Sequence, residues 1–389
     1  MACARVAVDG GARHDVKTFA ATTTALFELS DWLTEHGCTH VAMEATGVYW
    51  KPVWHILEEG FELILANATH IKNVPGRKTD VSDAMWIADL LAHGLIRASF
   101  VPENAIQDLR GLTRTRKQLV REKTQHVQRI QKTLEDANLK LSSVISSVVG
   151  GSGRAILEAL IKGQTNPEKL VELTHRLQAS RETLIEALTG RVTKHHRFLL
   201  KLHLDQVKAL EKSIARVEKE VASTLGPFRA AAELLTTMPG ISDTVAQVVV
   251  SEVGVDMSRF PTPGNLISWA GLCPRNDESA GKRRSNRLRQ GAPWLKTVLV
   301  QAAWAAVRTH GSYLRAQYHR IKSRRGAQKA IMAVAASMLK SCYFMLRDSV
   351  PYRDLGADYF DKLDKDAAIA RLVRRLNRLG CEVEVKPAA

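Results

Sequence analysis

Four carboxylates and one serine have the types and surroundings for phosphorus chemistry: Asp9 in VAVDGG, Glu44 in HVAMEATG, Asp80 and Asp83 in GRKTDVSDA, and Ser279 in the distant GLCPRNDESAGKRR. If the acids converge they form a hard oxygen donor set, whose mutual repulsion Mg²⁺ relieves while keeping positions open for water or phosphate. Phosphoryl transfer assisted by metal is the natural chemistry of such a site. Taken singly, each acid has an ordinary reading: Asp80 as a helix cap, Asp83 as a first-turn acid favoured by the helix dipole, Glu44 as a strand-end acid. Ser279 lies between Glu278 and Ala-Gly, directly before KRRSNRLR, which holds five basic residues in eight. A hydroxyl beside a phosphate-binding loop is placed to attack phosphorus, but serine needs a base or a metal to become a nucleophile. No histidine is near it in sequence, so the acids and their metal are the candidates; the plain alternative is a loop serine capping a turn.

The elements that must position these groups follow from periodicity. RVAV before Asp9 and HVAM before Glu44 are short apolar runs that read as buried strands, each delivering its acid at the strand end. Asp80 and Asp83 follow a PGRK turn and open an amphipathic run, so their i,i+3 spacing places both on one helix face. Strand-like runs at 5–9, 16–21, 40–45 and 61–67 alternate with helical ones at 22–36, 51–59 and 80–93, which predicts a compact α/β domain over 1–100.

From 101 to 229 the pattern becomes helical. Ile106, Leu109, Leu112, Leu119, Val127, Ile130, Leu134 and Leu141 recur near threes and fours, and Leu200, Leu204, Val207, Leu210, Ile214, Val217, Val221 and Leu225 approach a heptad. A GGSG interruption at 150–153 separates the two runs, which form either an antiparallel coiled-coil spacer or two helices of one bundle. The region 230–350 reads as mostly helical and opens with LLTTMPGISDTVA, which resembles a helix-hairpin-helix. There Gly240 and Ser242 would offer backbone N–H groups and a helix start to phosphate; a plain corner between two helices is the competing reading. Lys282, Arg283, Arg284, Arg287 and Arg289 form one candidate phosphate-binding cluster, and Arg324, Arg325 and Lys329 another, with a solvated helix end as its ordinary explanation. The tail, 351–389, reads as a terminal amphipathic helix.

Charge separates these regions. The 389 residues carry a net +16, yet the first hundred hold 8 Lys and Arg against 12 Asp and Glu, leaving the excess of positive charge to the remainder. A locally acidic domain on a basic body suits a metal-dependent enzyme acting on a polyanion. Five scattered cysteines without a CxxC pair indicate neither a disulfide framework nor a zinc site, and a reducing cytoplasm is the simplest home. Neither a bilayer-spanning apolar run nor a secretory signal is expected.

The combination resembles the transposases of the IS110 family, with NDESAGKRR closest to its IS1111 branch. The resemblance spans nearly the whole chain: Asp9, Glu44, Asp80 and Asp83 match the DEDD set of an N-terminal RuvC-like (RNase H-like) domain, a coiled-coil spacer follows, and PGIS, AGLCP and ESAGK match the C-terminal domain. It implies a DNA recombinase in which Ser279 forms a phosphoserine link while Mg²⁺ on the four acids assists. It also implies a structured non-coding RNA that pairs with donor and target DNA, and a homo-oligomer to exchange strands. Gly10 and Gly11 depart from the family's usual valine or alanine followed by lysine, leaving Arg13 to take over the basic role. Two other readings are a RuvC-like nuclease using water, which leaves Ser279 idle, and a non-catalytic nucleic-acid adaptor.

Overall fold

The structure, a computed structural model, describes residues 1–67, 71, 80–175, 178–274, 277–285, 287–288 and 291–386; the side chains of 80–82, 277–279 and 283–284 lie outside the described set. The chain divides into two compact units, Met1–Pro102 and Glu103–Ala389.

The first unit is α/β. Strand β1 (Ala2–Val8) folds back on β2 (Gly11–Lys17) with Val8 opposite Gly11, so Asp9 and Gly10 alone make the turn. Gly10 has φ +86°, which an Asp-Gly hairpin supplies without steric cost. This moves the second strand earlier than the 16–21 expected: the chain reverses at once, and Phe19, beyond the strand, packs on Trp32 with ring centroids 5.5 Å apart. Helix α1 (Thr23–Glu35) starts where the Thr22 hydroxyl accepts from Ala25 N–H, and buries Leu26, Leu29, Trp32 and Leu33 against Ala4 and Leu57. Strand β3 (His40–Glu44) pairs in parallel with β4 (Glu62–Ala66), and α2 (Trp50–Leu57) makes the crossover that a parallel pair requires. Helix α3 (Asp80–Ala92) follows. Among the described residues the strands of this unit form two separate pairs.

Among the described residues the named strands of the second unit form one short hairpin, and its other elements are helical. Helices α4 (Asn104–Asp136) and α9 (Lys194–Thr224), each about 50 Å long at 1.5 Å per residue, run antiparallel. Their ion pairs fix the direction, since Arg116 meets Glu218 at 2.6 Å and Lys123, later in α4, meets Glu211, earlier in α9, at 3.9 Å. Nearer the tip His126 faces His203; burial, then His126 and Arg129, push the His203 imidazolium below the usual histidine range, so that ring stays neutral at pH 7. Four short helices close the tip: α5 (Leu141–Val144), α6 (Gly151–Lys162), α7 (Pro167–Val171) and α8 (Arg181–Ala187). They bury Leu141, Ile156, Leu157, Leu160, Leu170 and Leu188 against Ile130, Leu134, Leu200 and Leu204. The GGSG segment expected as an interruption is the start of α6, and a Cβ on Gly153 would stand 2.5 Å from the Val148 carbonyl oxygen.

Beyond a 3₁₀ turn at Gly226–Phe228 come α10 (Arg229–Thr236), α11 (Asp243–Val253), α12 (Pro263–Trp269), a hairpin of β5 (Asp277–Ser279) and β6 (Lys282–Ser285), α13 (Pro293–Ala306), α14 (Tyr313–Arg325) and α15 (Ala327–Asp348). Helix α15 is long and apolar enough to cross a bilayer, contrary to the expectation that no run reaches that length, yet half of its apolar window is buried in the protein. It is a core helix: Ile331, Val334, Met338, Leu339 and Cys342 are buried, and burial pushes the Cys342 thiol up to about 12. Tyr343 donates its hydroxyl to the Phe260 carbonyl at 3.0 Å. Two tail helices, α16 (Tyr359–Leu363) and α17 (Lys365–Arg378), follow.

Gly240, in the turn between α10 and α11, has φ +86°, and a Cβ there would meet the Ala302 carbonyl and, at 2.7 Å, the Ala306 nitrogen of α13. Backbone cannot yield as a side-chain tip can, so Gly240→Ala is expected to lower stability by about 2–4 kcal/mol. Urea unfolding of the whole chain measures this, and a midpoint equal to wild type would show that the α10–α11 turn does not press on α13.

Candidate functional site

The first unit presents its acids from different elements. Asp9 occupies the hairpin turn after β1 and is exposed. Glu44 ends β3 at the carboxyl edge of the parallel pair, where Ala45 N–H donates to the Ala66 carbonyl at 2.9 Å and Thr46 donates its hydroxyl to the Glu44 carboxylate at 3.2 Å. The carboxyl ends of parallel strands are where a sheet offers side chains to ligands. Asp83, in the first turn of α3, is half-buried; Asp80 opens the same helix, and its side chain lies outside the described residues. Among the described residues no three His, Cys, Asp or Glu side chains gather at metal-binding distance, so the structure does not bring Asp9, Glu44 and Asp83 together.

Among the described residues Asp9, Glu44 and Asp83 have no ion pair, whereas Asp15 and Asp89 are paired. Asp89 is a residue that sequence reasoning missed. From α3 it accepts Arg5 Nε of β1 at 2.8 Å and bonds His14 Nε2 of β2 at 2.9 Å, tying the helix that carries Asp80 and Asp83 to the hairpin that carries Asp9. Its partners are distant in sequence, so no local spacing signals the clamp. Burial pushes the Asp89 carboxyl up, but the hydrogen bonds from Arg5 and His14 outweigh that and hold it below the usual range. A depressed carboxyl contributes stability that is present above its unfolded value and lost as pH falls through its folded one. Asp89→Asn is therefore expected to cost about 1 kcal/mol at pH 7, a modest figure because the side chain is one third exposed, and to cost less below pH ~4, the ordinary aspartate range. Hydrogen exchange of the α3 amides in the full chain reads this; protection independent of both residue and pH would refute the clamp.

In the second unit the serine segment forms a tight hairpin. Ser279 pairs with Lys282, leaving Ala280 and Gly281 as a two-residue turn with φ +49° and +72°. Positive φ at both turn positions matches the twist of a two-stranded ribbon, and an alanine held there bears strain of about 1–2 kcal/mol. An isolated bridge joins Pro274 to Leu288 below the hairpin. Gly291 closes its base: a Cβ there would strike Ala270 and Gly271 backbone, with the Ala270 carbonyl carbon at 2.5 Å. Lys282 and Arg287 are exposed, the latter with its N–H on the Ser285 hydroxyl at 3.2 Å. The side chains of Ser279, Arg283 and Arg284, and all of Arg289, lie outside the described residues. Arg324 and Arg325 end α14 and Lys329 begins α15, all exposed and without an ion pair among the described residues. Ser242 precedes α11 and is exposed, but its hydroxyl caps no first-turn amide.

Two family models match the chain in this order. Residues 3–138, which hold all four acids, match a transposase model of the DEDD type named for IS110, and residues 232–319, which hold Ser279, match the transposase family IS116/IS110/IS902. The chain belongs to the IS110 family of transposases. Its relatives include an uncharacterized 43.6 kDa protein of insertion element IS110 from Streptomyces coelicolor, 30% identical over 150 residues. That alignment covers 38% of this chain and 35% of the relative, so the matched part is about a third of that protein's length. An uncharacterized 42 kDa protein of insertion element IS900 from Mycobacterium paratuberculosis is 25% identical over a 328-residue alignment covering 75% of this chain and 80% of the relative. In this IS110-family chain the acids and the serine fall in different matched segments, and the helical hairpin α4–α9 lies largely between them.

Proposed function

We propose that the chain is a DNA transposase that cuts and rejoins strands through a covalent phosphoserine at Ser279, with a RuvC-like first domain (1–100) supplying a divalent metal site. The observation that carries the reading is the strained Ala280–Gly281 turn: it fixes Ser279 at the end of a short ribbon directly before the basic run that begins at Lys282. Strained backbone of this kind is retained where surrounding structure imposes it, and it clusters at reactive sites.

The donor set fits a hard divalent cation such as Mg²⁺, because Asp9, Glu44 and Asp83 are carboxylates that no Lys, Arg or His neutralises among the described residues. Asp9, Glu44, Asp80 and Asp83 would hold it, and when bound it supplies stabilisation of charge on phosphate oxygens. Ser279 Oγ forms a bond to phosphorus as a deoxyribose oxygen leaves and takes up a proton as a hydroxyl. The serine proton passes to a carboxylate or to water. Attack on the phosphoserine by the hydroxyl of a second strand reverses these changes and releases Ser279, so no bond energy is lost and no co-reactant is consumed. Lys282, Arg283, Arg284, Arg287, Arg289, Arg324, Arg325 and Lys329 neutralise backbone phosphates, and the turn at Gly240 and Ser242 offers them uncharged hydrogen-bond donors.

Contacts of this type carry little sequence information, so choice of site falls to a structured RNA encoded by the element that pairs with DNA. Exchange of two duplexes calls for a homo-oligomer. The test is covalent trapping: protein, Mg²⁺, labelled junction DNA and the adjoining non-coding RNA, resolved on a denaturing gel. A labelled protein band establishes the phosphoserine route, whereas free cleaved DNA with no adduct assigns the chain to hydrolytic nucleases.

A further inference from the structure

A cavity of about 260 Å³, lined by both polar and apolar groups, opens between α4, α11 and α13. One wall is a row of cations on α4: Arg114, Lys117 and Arg121, spaced by three and four residues so that they share a helix face, with Arg116 beside them. Glu252 is the single acid among the lining residues, and it is spent: fully buried, it takes both guanidinium bonds of Arg114, at 2.7 and 2.8 Å. Arg116 is likewise held by Glu218. Lys117 and Arg121 have no carboxylate partner among the described residues. The Arg121 guanidinium instead lies over the Trp294 ring of α13, 5.0 Å from its centroid, with Arg114 5.8 Å from the same ring. The remaining rim is hydrogen-bonding, with Ser242, Thr244 and Gln301, over a floor of Val245, Val248 and Val298.

Surface cations are normally left to water or to scattered acids. Here two uncompensated cations, a tryptophan face and neutral hydrogen-bonding groups are gathered round one concavity, and a buried salt bridge holds its wall in place. A double helix presents its phosphates on a convex surface and its bases stacked inside, so it cannot bring a base into such a recess. An unpaired nucleotide can, and the pairing of a cation with an aromatic ring is how proteins hold unstacked bases and their phosphates.

We infer that this cavity binds one nucleotide of an unpaired stretch of nucleic acid, its phosphate on Lys117 and Arg121 and its base against the Arg121–Trp294 pair. The inference rests on the reading of the chain as a nucleic-acid enzyme and adds a site that recognises strands out of the duplex. The ligand chemistry, a phosphodiester-linked unpaired nucleotide, is common to RNA and single-stranded DNA.

The test compares wild type, Lys117→Gln/Arg121→Gln and Trp294→Phe for binding to three labelled probes: a 20-nucleotide RNA without self-complementarity, its DNA counterpart, and the matching DNA duplex, each over a salt series. The double variant removes groups with no acid partner among the described residues, and thermal melting verifies that it folds; Trp294→Phe keeps a ring and an apolar contact. The double variant is expected to bind one or both unpaired probes roughly tenfold or more weakly. Its slope of log affinity against log salt should fall by about 0.7, the value for one single-strand phosphate contact, while duplex affinity stays within about twofold on the same scale. Trp294→Phe should show a smaller loss confined to the unpaired probes. Whichever unpaired probe suffers the larger loss identifies the source. Equal losses on duplex and unpaired probes, or no loss on any, would overturn the inference while leaving the transposase reading intact. Failure of wild type to bind any probe would overturn both.

Discussion

Ser279→Ala is expected to abolish the covalent protein–DNA adduct and to lower strand transfer by a factor on the order of 10⁴ or more, with DNA affinity unchanged. The size of the effect follows from the step. Alanine has no oxygen to bond phosphorus, and water held in the same place is neither positioned as a nucleophile nor able to store the broken bond for rejoining. The selectivity follows from the backbone: Ser279 meets Lys282 across the ladder through main-chain groups, and the turn conformation belongs to Ala280 and Gly281. Loss of the hydroxyl therefore leaves the hairpin intact. Binding is measured first by electrophoretic mobility shift, then single-turnover cleavage and rejoining on junction DNA, with Asp80→Asn run alongside. Both variants should bind and neither should form the adduct. A Ser279→Ala protein that still releases cleaved DNA in a reaction that Asp80→Asn abolishes would move the chemistry to water at the acids and remove the serine from the mechanism.

Arg114→Ala is expected to destabilise the second unit by about 3–5 kcal/mol, the usual consequence of leaving a buried charge without its partner. Glu252 is 0% exposed, and Arg114 supplies both of its strong bonds. Arg110 is a poor substitute. It donates to the Ser251 and Glu252 carbonyls at 3.1 and 2.7 Å, and its nearest approach to the carboxylate is 3.7 Å. Burial has already pushed its guanidinium down to about 10. Lysine at 114 offers a point charge in place of a planar fork and is expected to recover only part of the loss. Glu252→Gln, which keeps the shape and removes the charge, should cost less, about 1–3 kcal/mol. Urea unfolding of each variant and of the Arg114→Ala/Glu252→Gln pair closes a double-mutant cycle, and a coupling below ~0.5 kcal/mol, the range of independent sites, would mean that the pair does not hold α4 to α11. Because Arg114 also walls the nucleotide cavity, this variant reports on folding and is unsuited to testing binding there.

Much of the second unit was legible because its signals are local. Leu109, Ile130, Leu134, Leu200, Leu204 and Val207 recur at helical spacing, and a stripe of that kind needs a partner helix whatever the rest of the chain does. The strand before Glu44 and the helix that begins at Asp80 were equally plain. Two places where the structure adds to that reading also have local causes. Asp9-Gly10 is a hairpin dipeptide and ended the first strand sooner than hydrophobicity implied. The GGSG run does lie between the two long helices, but it opens a helix of its own, in which Gly153 is required by the approach of the Val148 carbonyl.

The sequence by itself determined the residue types that can do chemistry, the helical and strand periods, the segregation of negative charge to the first hundred residues, and a family pattern strong enough to be recognised. Only the tertiary structure decided what those residues meet: that Arg5 and His14 clamp Asp89, that Glu252 is buried on Arg114, that Ala280 is held at positive φ beside Ser279, and that the Arg121 guanidinium lies over the Trp294 ring. The physical reason is range. Propensity and periodicity act over a few residues and are written in the order of the chain, whereas burial and ion pairing join positions 75, 84 and 138 residues apart, and their energies exist only once the elements have packed.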